Sequence, residues 1–308
     1  MLLRVGTRGS KLSLIQTDMV VERIKRANPG VKIELKTIAT SGDLDRTTPL
    51  FSLGQKGIFE KEIDQAVIDR QVDFAVHSMK DIPTPLGSEL VIASVPERGA
   101  TADVLVSKDR KPLNTILDGK IVGTSSLLRT AELKRVRPGL RTQPIRGNVD
   151  TRIRKVEQGE YDAVILAEAG LARLGMMDKA AERLPLDDFV PAPGQGALAL
   201  IARGDDSRVI EVLKSVEHSP TRAEIVAERE LVYTLEGGCK VPIGALASAN
   251  GNMVQLTSSI FSLDGKQRLV AKRAGHVANA AAIGKEVGEQ LLENGAKKIE
   301  ETWRTVYS

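Results

Sequence analysis

The chain carries VGTRGS at residues 5–10 and a close echo of it, VGTSS, at residues 122–126. A second pair of strings follows in the same order, DFAV at residues 73–76 and DAVI at residues 162–165. In both VGTRGS and VGTSS, an apolar strand ends in glycine and hydroxyl residues, and a helix begins there. Backbone N–H groups at the start of a helix form a natural anion site. The repeated order predicts two similar α/β domains that face each other across a cleft.

Val- and Ile-rich runs alternate with segments of helical periodicity through the first two thirds of the chain. This alternation is typical of α/β units with mostly parallel strands. We predict strands at residues 3–5, 32–38, 72–77, 90–95, 104–106, 121–123, 142–144 and 163–167. We predict helices at residues 10–26, 59–69, 126–136, 149–158 and 168–174.

Two segments rich in proline and glycine, residues 96–100 and 191–196, are predicted as hinges where the chain crosses between the two domains. Later in the chain a smaller α+β module is predicted. Its helices and strands are expected at residues 223–235, 243–249, 254–261, 269–273 and 279–294. The expected domains are residues 1–97 with 197–216, residues 98–196, and residues 217–308.

The composition excludes several classes of protein. One cysteine excludes an internal disulfide framework, and three scattered histidines give no ligand set for zinc, so no metal site is predicted. The N-terminus does not have the pattern of a signal peptide, and no apolar run has the length of a membrane span. We therefore expect a cytoplasmic chain with no membrane partner.

The charge distribution favours anionic ligands. The formal net charge is only +4, but basic side chains crowd between residues 129 and 155, where Glu132 and Asp150 are the only acids. These basic residues are Arg129, Lys134, Arg135, Arg137, Arg141, Arg146, Arg152, Arg154 and Lys155. Proteins that bind single-stranded nucleic acid need aromatic side chains for base stacking, and only 3% of this chain is aromatic. Small carboxylates or phosphates are thus expected, and nucleic acid is not.

The string VHSMKDIP at residues 76–83 ends an apolar strand, which is where α/β folds place their ligand sites. Lys80 and Asp81 fall in the turn that follows. Spacing alone favours the alternative that they form an ordinary surface ion pair. His77 alone is better explained as a structural histidine than as a base.

A second constellation joins VGTSSLLR at residues 122–129 with IRGNVDTR at residues 145–152. Hydroxyls at a helix N-terminus together with arginines that grip carboxylates bidentately form a wall that binds acids. The alternative is N-capping by Ser125 with solvated arginines, and for any single arginine that alternative is favoured. The clustering of the arginines favours the binding site.

Cys239 lies in LEGGCKVPIG, residues 235–244, between a predicted helix and a predicted strand. A lone cysteine is usually a small buried hydrophobe. Gly237 and Gly238 free the backbone here, so an exposed thiol with a lowered pKa and a nucleophilic role are credible. The absence of a histidine nearby in sequence argues against a thiol protease or an acyltransferase.

Together these strings resemble the porphobilinogen deaminase (hydroxymethylbilane synthase) family over the whole chain. The motifs that carry the resemblance are VGTRGSKLSL, GQKGIFEKE, DFAVHSMKDIP, VGTSSLLR, IRGNVDTR, YDAVILAEAGLARLG, PAPGQGA and LEGGCKVPIG, in the order of the family. The resemblance implies two domains like those of periplasmic binding proteins around an active-site cleft, and a C-terminal domain that presents Cys239.

The resemblance also implies that Cys239 holds a dipyrromethane cofactor through a thioether, and that this cofactor acts as a primer. Four porphobilinogen units would be added head to tail with loss of ammonia, and water would then release hydroxymethylbilane for tetrapyrrole biosynthesis. The implied substrate is porphobilinogen and the implied receiver of the product is uroporphyrinogen-III synthase. A monomer is implied as well.

By position in the motifs, the resemblance implies that Asp81 is the catalytic group. It would hold pyrrole N–H groups, stabilise the developing cations and assist proton transfer. Besides Cys239, the implied cofactor-binding residues are Ser10, Lys80, Thr124, Ser126, Arg129 and Arg146. The implied substrate-binding residues are Arg8, Arg146, Arg152 and Arg173.

Two positions depart from the family pattern. Leu128 stands where the family has an arginine that holds a cofactor carboxylate, and losing such a contact costs about 1.5–3 kcal/mol if nothing replaces it. Residues 99–102 are less charged than is common in relatives, which concerns domain closure because they fall in a predicted hinge.

Two other classes of protein share the predicted cleft. A binding protein for small carboxylates needs neither Cys239 nor the HSMKD string, and it would normally carry an export signal. A transcription factor with such an effector module would need a helix-turn-helix ahead of Val5, where we expect no room. The sequence therefore favours the enzyme.

Overall fold

The computed structural model describes residues 1–40, 60–235 and 242–307. Its strands are β1 (Leu2–Thr7), β2 (Lys32–Thr37), β3 (Phe74–Ser78), β4 (Leu90–Ser94), β5 (Asp103–Ser107), β6 (Ile121–Gly123), β7 (Arg141–Gln143), β8 (Ala163–Ala167), β9 (Glu182–Arg183), β10 (Leu198–Arg203), β11 (Ile243–Asn250), β12 (Met253–Phe261) and β13 (Arg268–His276). Its helices are α1 (Lys11–Ala27), α2 (Lys61–Ile68), α3 (Leu127–Val136), α4 (Val149–Glu157), α5 (Glu168–Arg173), α6 (Ser207–Lys214), α7 (Ser219–Thr234), α8 (Ala280–Glu293) and α9 (Ala296–Tyr307).

The strands form two five-stranded sheets and one three-stranded sheet, which confirms the predicted α/β fold with a small C-terminal α+β part. The first sheet has the order β2-β1-β3-β10-β4, the second β7-β6-β8-β5-β9, and the third β11-β12-β13. Helices α7 and α8 pack on the third sheet. Its apolar core includes Leu231, Leu256, Val287 and Trp303.

The two larger sheets repeat one pattern of strand pairing. In the first sheet Val5 lies opposite Phe74 and Gly6 opposite Ala75. In the second, residues 122 and 123 lie opposite residues 163 and 164 in the same parallel register. The internal repeat predicted from the sequence echoes is therefore present in the fold.

A matching aspartate precedes the inner strand of each pair. The side chain of Asp73 accepts a hydrogen bond from the backbone N–H of Arg4 at 2.6 Å, and Asp162 accepts one from the N–H of Ile121 at 2.8 Å. Each carboxylate therefore ties the start of one central strand to its neighbour. This explains why DFAV and DAVI recur together with VGT.

The prediction of mostly parallel strands is wrong. In the described residues, four pairings of the two larger sheets are parallel and four are antiparallel. The antiparallel ones involve β5 and β10, the strands that the chain enters after it crosses from the other sheet. An apolar run predicts that a strand is buried, but it does not encode the direction in which the chain enters the sheet.

Both proline- and glycine-rich segments run between the two larger sheets, as predicted. The first joins β4 to β5 and the second joins β9 to β10. We call them the first crossing (residues 95–102) and the second crossing (residues 191–197). They contact each other, since the N–H of Gly99 donates to the carbonyl of Gly196 at 3.1 Å. Gly196 has φ +85°, and a Cβ there would lie 2.5 Å from the carbonyl oxygen of Ala100, so only glycine fits.

The expected domain boundaries remain a prediction. In the described parts of the chain, no helix is both long and apolar enough to cross a bilayer. The same residues contain no cluster of side chains suited to a metal ion.

Candidate active site

Lys80 and Asp81 lie on a single helical turn, Met79–Asp81, directly after the buried strand β3. The side chain of Met79 is buried, and its N–H donates to the carbonyl of Ala197 at 3.0 Å. Gly194 packs so closely on this turn that a Cβ would lie 3.0 Å from the backbone nitrogen of Lys80. The second crossing therefore holds the turn at the C-terminal end of β3.

The ammonium of Lys80 points to the second crossing. Its Nζ donates to Oε1 of the buried Gln195 at 3.3 Å. Burial lowers the pKa of Lys80 and repulsion from Arg129 lowers it further, while Asp81 and Asp103 oppose this effect. The surface ion pair considered from the sequence does not describe Lys80, because its side chain is half-buried among other charged groups.

Arg129 projects from the first turn of α3 and pairs with Asp103. The Nε and NH2 atoms of Arg129 donate to the two carboxylate oxygens of Asp103 at 2.8 and 2.6 Å. Burial acts to lower the pKa of Arg129, but the attraction of Asp103 outweighs it and the pKa is raised. Arg129 is thus a fixed cation at the C-terminal edge of the second sheet.

Gln195 connects the two halves of the site. Its Oε1 accepts from Lys80 and, at 3.4 Å, from Arg129, while its Nε2 donates to Asp103 at 2.7 Å. Neither Gln195 nor Asp103 was predicted from the sequence. Gln195 lies in PAPGQGA, which was interpreted as a hinge and as a family motif without a role for the glutamine. Asp103 carried no local signal.

Arg152 on α4 belongs to the same cluster. Its Nε donates to the carbonyl of Gly147 at 2.8 Å. Burial lowers the pKa of Arg152 to about 10, repulsion from Arg129 and Arg146 adds to this, and the attraction of Asp81 opposes it. Lys80, Asp81, Arg129 and Arg152 therefore lie in mutual electrostatic range, and Arg146 acts on Arg152.

The predicted hydroxyl residues lie at the starts of helices. Ser10 caps α1 by accepting from the N–H of Ser13 at 3.3 Å. Ser126, and not Ser125 as the alternative assumed, caps α3. The Oγ1 of Thr124 accepts from the N–H of Ser126 at 3.1 Å, so these hydroxyls shape the anion-facing end of α3.

Arg173 and Arg8 are the other two predicted arginines. The NH2 of Arg173 donates to the carbonyl of Gly196 at 2.6 Å, on the second crossing. Burial lowers the pKa of Arg173 to about 10, with repulsion from Arg23 as a smaller cause. Arg8 follows β1 at the C-terminal end of that strand, just before the Ser10 cap.

Cys239 lies outside the described residues, as do residues 54–59 of the GQKGIFEKE motif. The segment that carries Cys239 joins α7 to β11. Within α7, Arg229 donates to the carbonyl of Pro83 at 2.9 Å, two residues beyond Asp81. The helix that leads towards the cysteine is therefore anchored beside the Lys80–Asp81 turn.

Leu128, the residue that departs from the family pattern, has a packing role. Its side chain is 6% exposed and belongs to the apolar core of the third sheet, together with Ala131 of the same helix. Leu128 thus packs α3 against the apolar core of the C-terminal part of the chain.

The fold and the site define a two-sheet α/β protein with a C-terminal α+β part. In it, cations converge beside Asp81 and Asp103 at the ends of strands. Residues 3–211 match the family described as porphobilinogen deaminase, dipyrromethane cofactor binding domain, and residues 222–293 match the C-terminal domain of the same enzyme. The chain belongs to the porphobilinogen deaminase family, whose cofactor is dipyrromethane.

Curated relatives extend over nearly the whole chain. The probable porphobilinogen deaminase of Nitrosopumilus maritimus is 48% identical over 300 residues, which cover 97% of this chain and 96% of the relative. The porphobilinogen deaminase of Desulforudis audaxviator is 44% identical over 96% of both chains.

Solved structures of lower similarity include periplasmic-type binding domains. The methionine binding protein MetQ is 11% identical with a TM-score of 0.45, over 70% of this chain and 89% of that chain. The periplasmic VFT2 domain of Bordetella pertussis BvgS is 15% identical with a TM-score of 0.43, over 70% of this chain and 86% of that chain.

Proposed function

We propose that this chain is a transferase, hydroxymethylbilane synthase, which condenses four porphobilinogen units head to tail with loss of ammonia. Hydrolysis then releases hydroxymethylbilane for tetrapyrrole biosynthesis. The observation that carries the assignment of the site is the convergence of Lys80, Arg129 and Arg152 around Asp81. In this proposal the enzyme works in the cytoplasm as a monomer and hands its product to uroporphyrinogen-III synthase.

The donor set fits a dipyrromethane that carries acetate and propionate groups. Lys80 and Arg152 have lowered pKa values because burial and neighbouring cations disfavour their charge. A ligand carboxylate relieves that cost, since it supplies the opposite charge beside them. Bound dipyrromethane supplies the pyrrole carbon to which the first substrate is joined.

In the proposed division of labour, Cys239 keeps the cofactor attached through a thioether. Its carboxylates are held by Lys80, Arg129 and Arg146, with hydroxyls or backbone N–H groups near Ser10, Thr124 and Ser126. The incoming substrate carboxylates meet Arg8, Arg146, Arg152 and Arg173. These roles rest on the match of each residue to a family motif and on the positive charge of the site.

Asp81 is proposed as the catalytic residue. Loss of ammonia from porphobilinogen leaves an electron-poor azafulvene, and the pyrrole that attacks it becomes cationic in turn. A carboxylate beside the pyrrole N–H groups stabilises both positive charges and accepts the proton that is lost afterwards. Asp81 is supported in this role because it follows the buried strand β3 and faces a cluster of cations.

The mass of the intact protein tests function, cofactor and Cys239 together. We expect the native chain, denatured before measurement, to carry an adduct of two linked pyrrole units that is absent from Cys239→Ser. Denaturation separates covalent attachment from tight binding. An active chain with an unmodified mass would overturn the cofactor assignment, and a native chain that releases no bilane from porphobilinogen would overturn the function.

A further inference from the structure

Glu132 is a fully buried carboxyl that the proposed reaction does not use. It lies on α3, one helical turn after Arg129, and its exposed fraction is 0%. Among the described residues, neither carboxylate oxygen has a partner with hydrogen-bond geometry. A buried carboxylate without partners is strongly unfavourable in its charged form.

Arg129 attracts Glu132 but directs its donors to other groups. Two of its nitrogens bind Asp103, its NH1 donates to the carbonyl of Ile165 at 3.2 Å, and its NH2 also reaches Gln195. Arg129 therefore has no donor directed at Glu132. The carboxylate of Asp103 repels any negative charge that Glu132 would acquire.

A second cation that attracts Glu132 is Arg268, on β13 in the C-terminal part of the chain. Its Nε and NH2 atoms donate to Oγ of Ser259 at 3.2 and 3.0 Å. The guanidinium of Arg268 also stacks on the ring of Phe261, 5.5 Å from its centroid. The pKa of Arg268 is itself lowered by burial and by repulsion from Arg135, and attraction to Asp187 and Asp188 opposes this effect.

These surroundings favour the neutral acid. Burial raises the pKa of Glu132 well above its ordinary value, and repulsion from Asp103 raises it further. The opposite direction is favoured by Arg129, by Arg268 and by the backbone N–H of Val190, which comes near the carboxyl without meeting hydrogen-bond geometry. These effects do not cancel the rise.

We propose that Glu132 is a positioning residue that carries a proton in the resting enzyme, and that losing this proton weakens the hold of Arg129 on ligand carboxylates. With the proton in place, Arg129, Asp103 and Glu132 together have no net charge. Without it, the group has a charge of −1, which repels anions and draws Arg129 away from the ligand side. The identity of the ligand in this proposal rests on the proposed function. The protonation of Glu132 does not depend on it.

The first test is the pH dependence of KM and kcat for porphobilinogen with the holoenzyme. Glu132→Gln and Glu132→Met mimic the neutral acid, and Glu157→Gln, an exposed carboxylate on α4, is the matched control. Because Lys80 and Arg152 titrate alike in all four proteins, the ratio of KM values isolates Glu132. We expect the native KM to equal that of Glu132→Gln at acid pH and to exceed it by roughly three- to tenfold at alkaline pH, with kcat little changed.

The second test needs no turnover. A carboxyl whose folded-state pKa is raised costs stability as the pH rises from the unfolded pKa to the folded pKa, so the native Tm is expected to fall below that of Glu132→Gln over that range. Infrared spectra of the native holoenzyme should also show a protonated-carboxyl C=O band that is absent from Glu132→Gln and present in Glu157→Gln.

Three results would overturn the proposal: a KM ratio that does not change with pH, a Tm of both neutral variants below native at every pH, or no carboxylic-acid band assignable to Glu132. Failure of both neutral variants to fold would count against it as well, because they have the size and charge of the protonated acid. A chain that converts no porphobilinogen fails the proposed function instead, and the Tm and infrared results still decide the state of Glu132.

Discussion

The guanidinium of Arg98 and the carboxylate of Glu228 form a doubly hydrogen-bonded ion pair with N–O distances of 2.7 and 3.2 Å. Arg98 belongs to the first crossing, and Glu228 lies on α7 with a fully buried side chain. Glu228 also accepts from the N–H groups of Gly194 and Ala247 at 2.6 and 2.8 Å. One carboxylate thus joins both crossings to the first strand of the third sheet.

Replacing Arg98 should strongly destabilise the fold. Arg98→Met leaves the buried charge of Glu228 without its partner, so we expect the free energy of unfolding in urea to fall by about 3–5 kcal/mol. The control is Arg273→Met, whose pair with Glu286 has a similar distance of 2.8 Å but is exposed on both sides. Its expected loss is about 0–1 kcal/mol. Equal losses in the two variants would contradict the role of the buried pair.

Replacing Asp81 should abolish turnover without harming the fold. Asp81→Asn keeps the shape of the side chain but removes the charge that stabilises cationic intermediates, so kcat for porphobilinogen should fall by at least about a hundredfold. The Tm should stay close to native. Asp18→Asn, at an exposed position on α1, should change neither quantity. Bilane formation at the native rate by Asp81→Asn would reject Asp81 as the catalytic residue.

We expect the native Arg152 side chain to lower the stability of the folded chain and to raise its affinity for porphobilinogen. Its pKa is held near 10 by burial and by neighbouring cations, which means that its charge is disfavoured in the folded chain. In a cofactor-free Cys239→Ser background, Arg152→Gln should therefore raise the free energy of unfolding by about 1–2 kcal/mol, after allowance for solvent screening.

In the holoenzyme the same substitution should raise KM for porphobilinogen, because a ligand carboxylate loses its partner. Loss of a charge-assisted hydrogen bond of about 1.5–3 kcal/mol corresponds to an increase of roughly ten- to a hundredfold. Arg154→Gln is the matched control, since Arg154 is exposed on the same helix. A variant that binds substrate normally would remove Arg152 from the site.

Leu128→Arg tests whether this position can regain an arginine. From the sequence alone, such a change would be expected to speed assembly of the cofactor. Since Leu128 is 6% exposed in the apolar core of the third sheet, we now expect a loss of about 2–5 kcal/mol in unfolding free energy. Leu117→Arg, at a side chain that is 71% exposed, should be nearly neutral. A stable Leu128→Arg chain with faster cofactor assembly would contradict the packing role.

Local features of the fold could be predicted from the sequence because they depend on neighbouring residues. β6 and β8 begin and end at the predicted residues, and the Ser10 cap begins α1 as the pattern indicated. Strands β9 and β10 and helices α6 and α9 were not predicted. Their places depend on how the chain completes the edge of the second sheet, returns to the first and covers the third, which no short window of sequence records.

The cations of the site could be predicted from their clustering in sequence, but their anchors could not. Asp103 and Gln195 are 92 residues apart and meet only because the chain crosses twice between the sheets. The burial of Leu128 likewise depends on strands that come more than a hundred residues later. Charge density is a local property of the chain, whereas the partner of a charge is set by the tertiary fold.

The shared strand register of the two larger sheets bears on the ancestry of this chain. A polypeptide that folds twice into one pattern is the expected product of duplication and fusion of a shorter gene. Extending the register past the strands makes Ala169 and Gly170 the counterparts of Lys80 and Asp81. The two copies therefore contribute differently to the proposed site: one half supplies Lys80 and Asp81 after its inner strand, and the other supplies Arg129, Arg146 and Arg152.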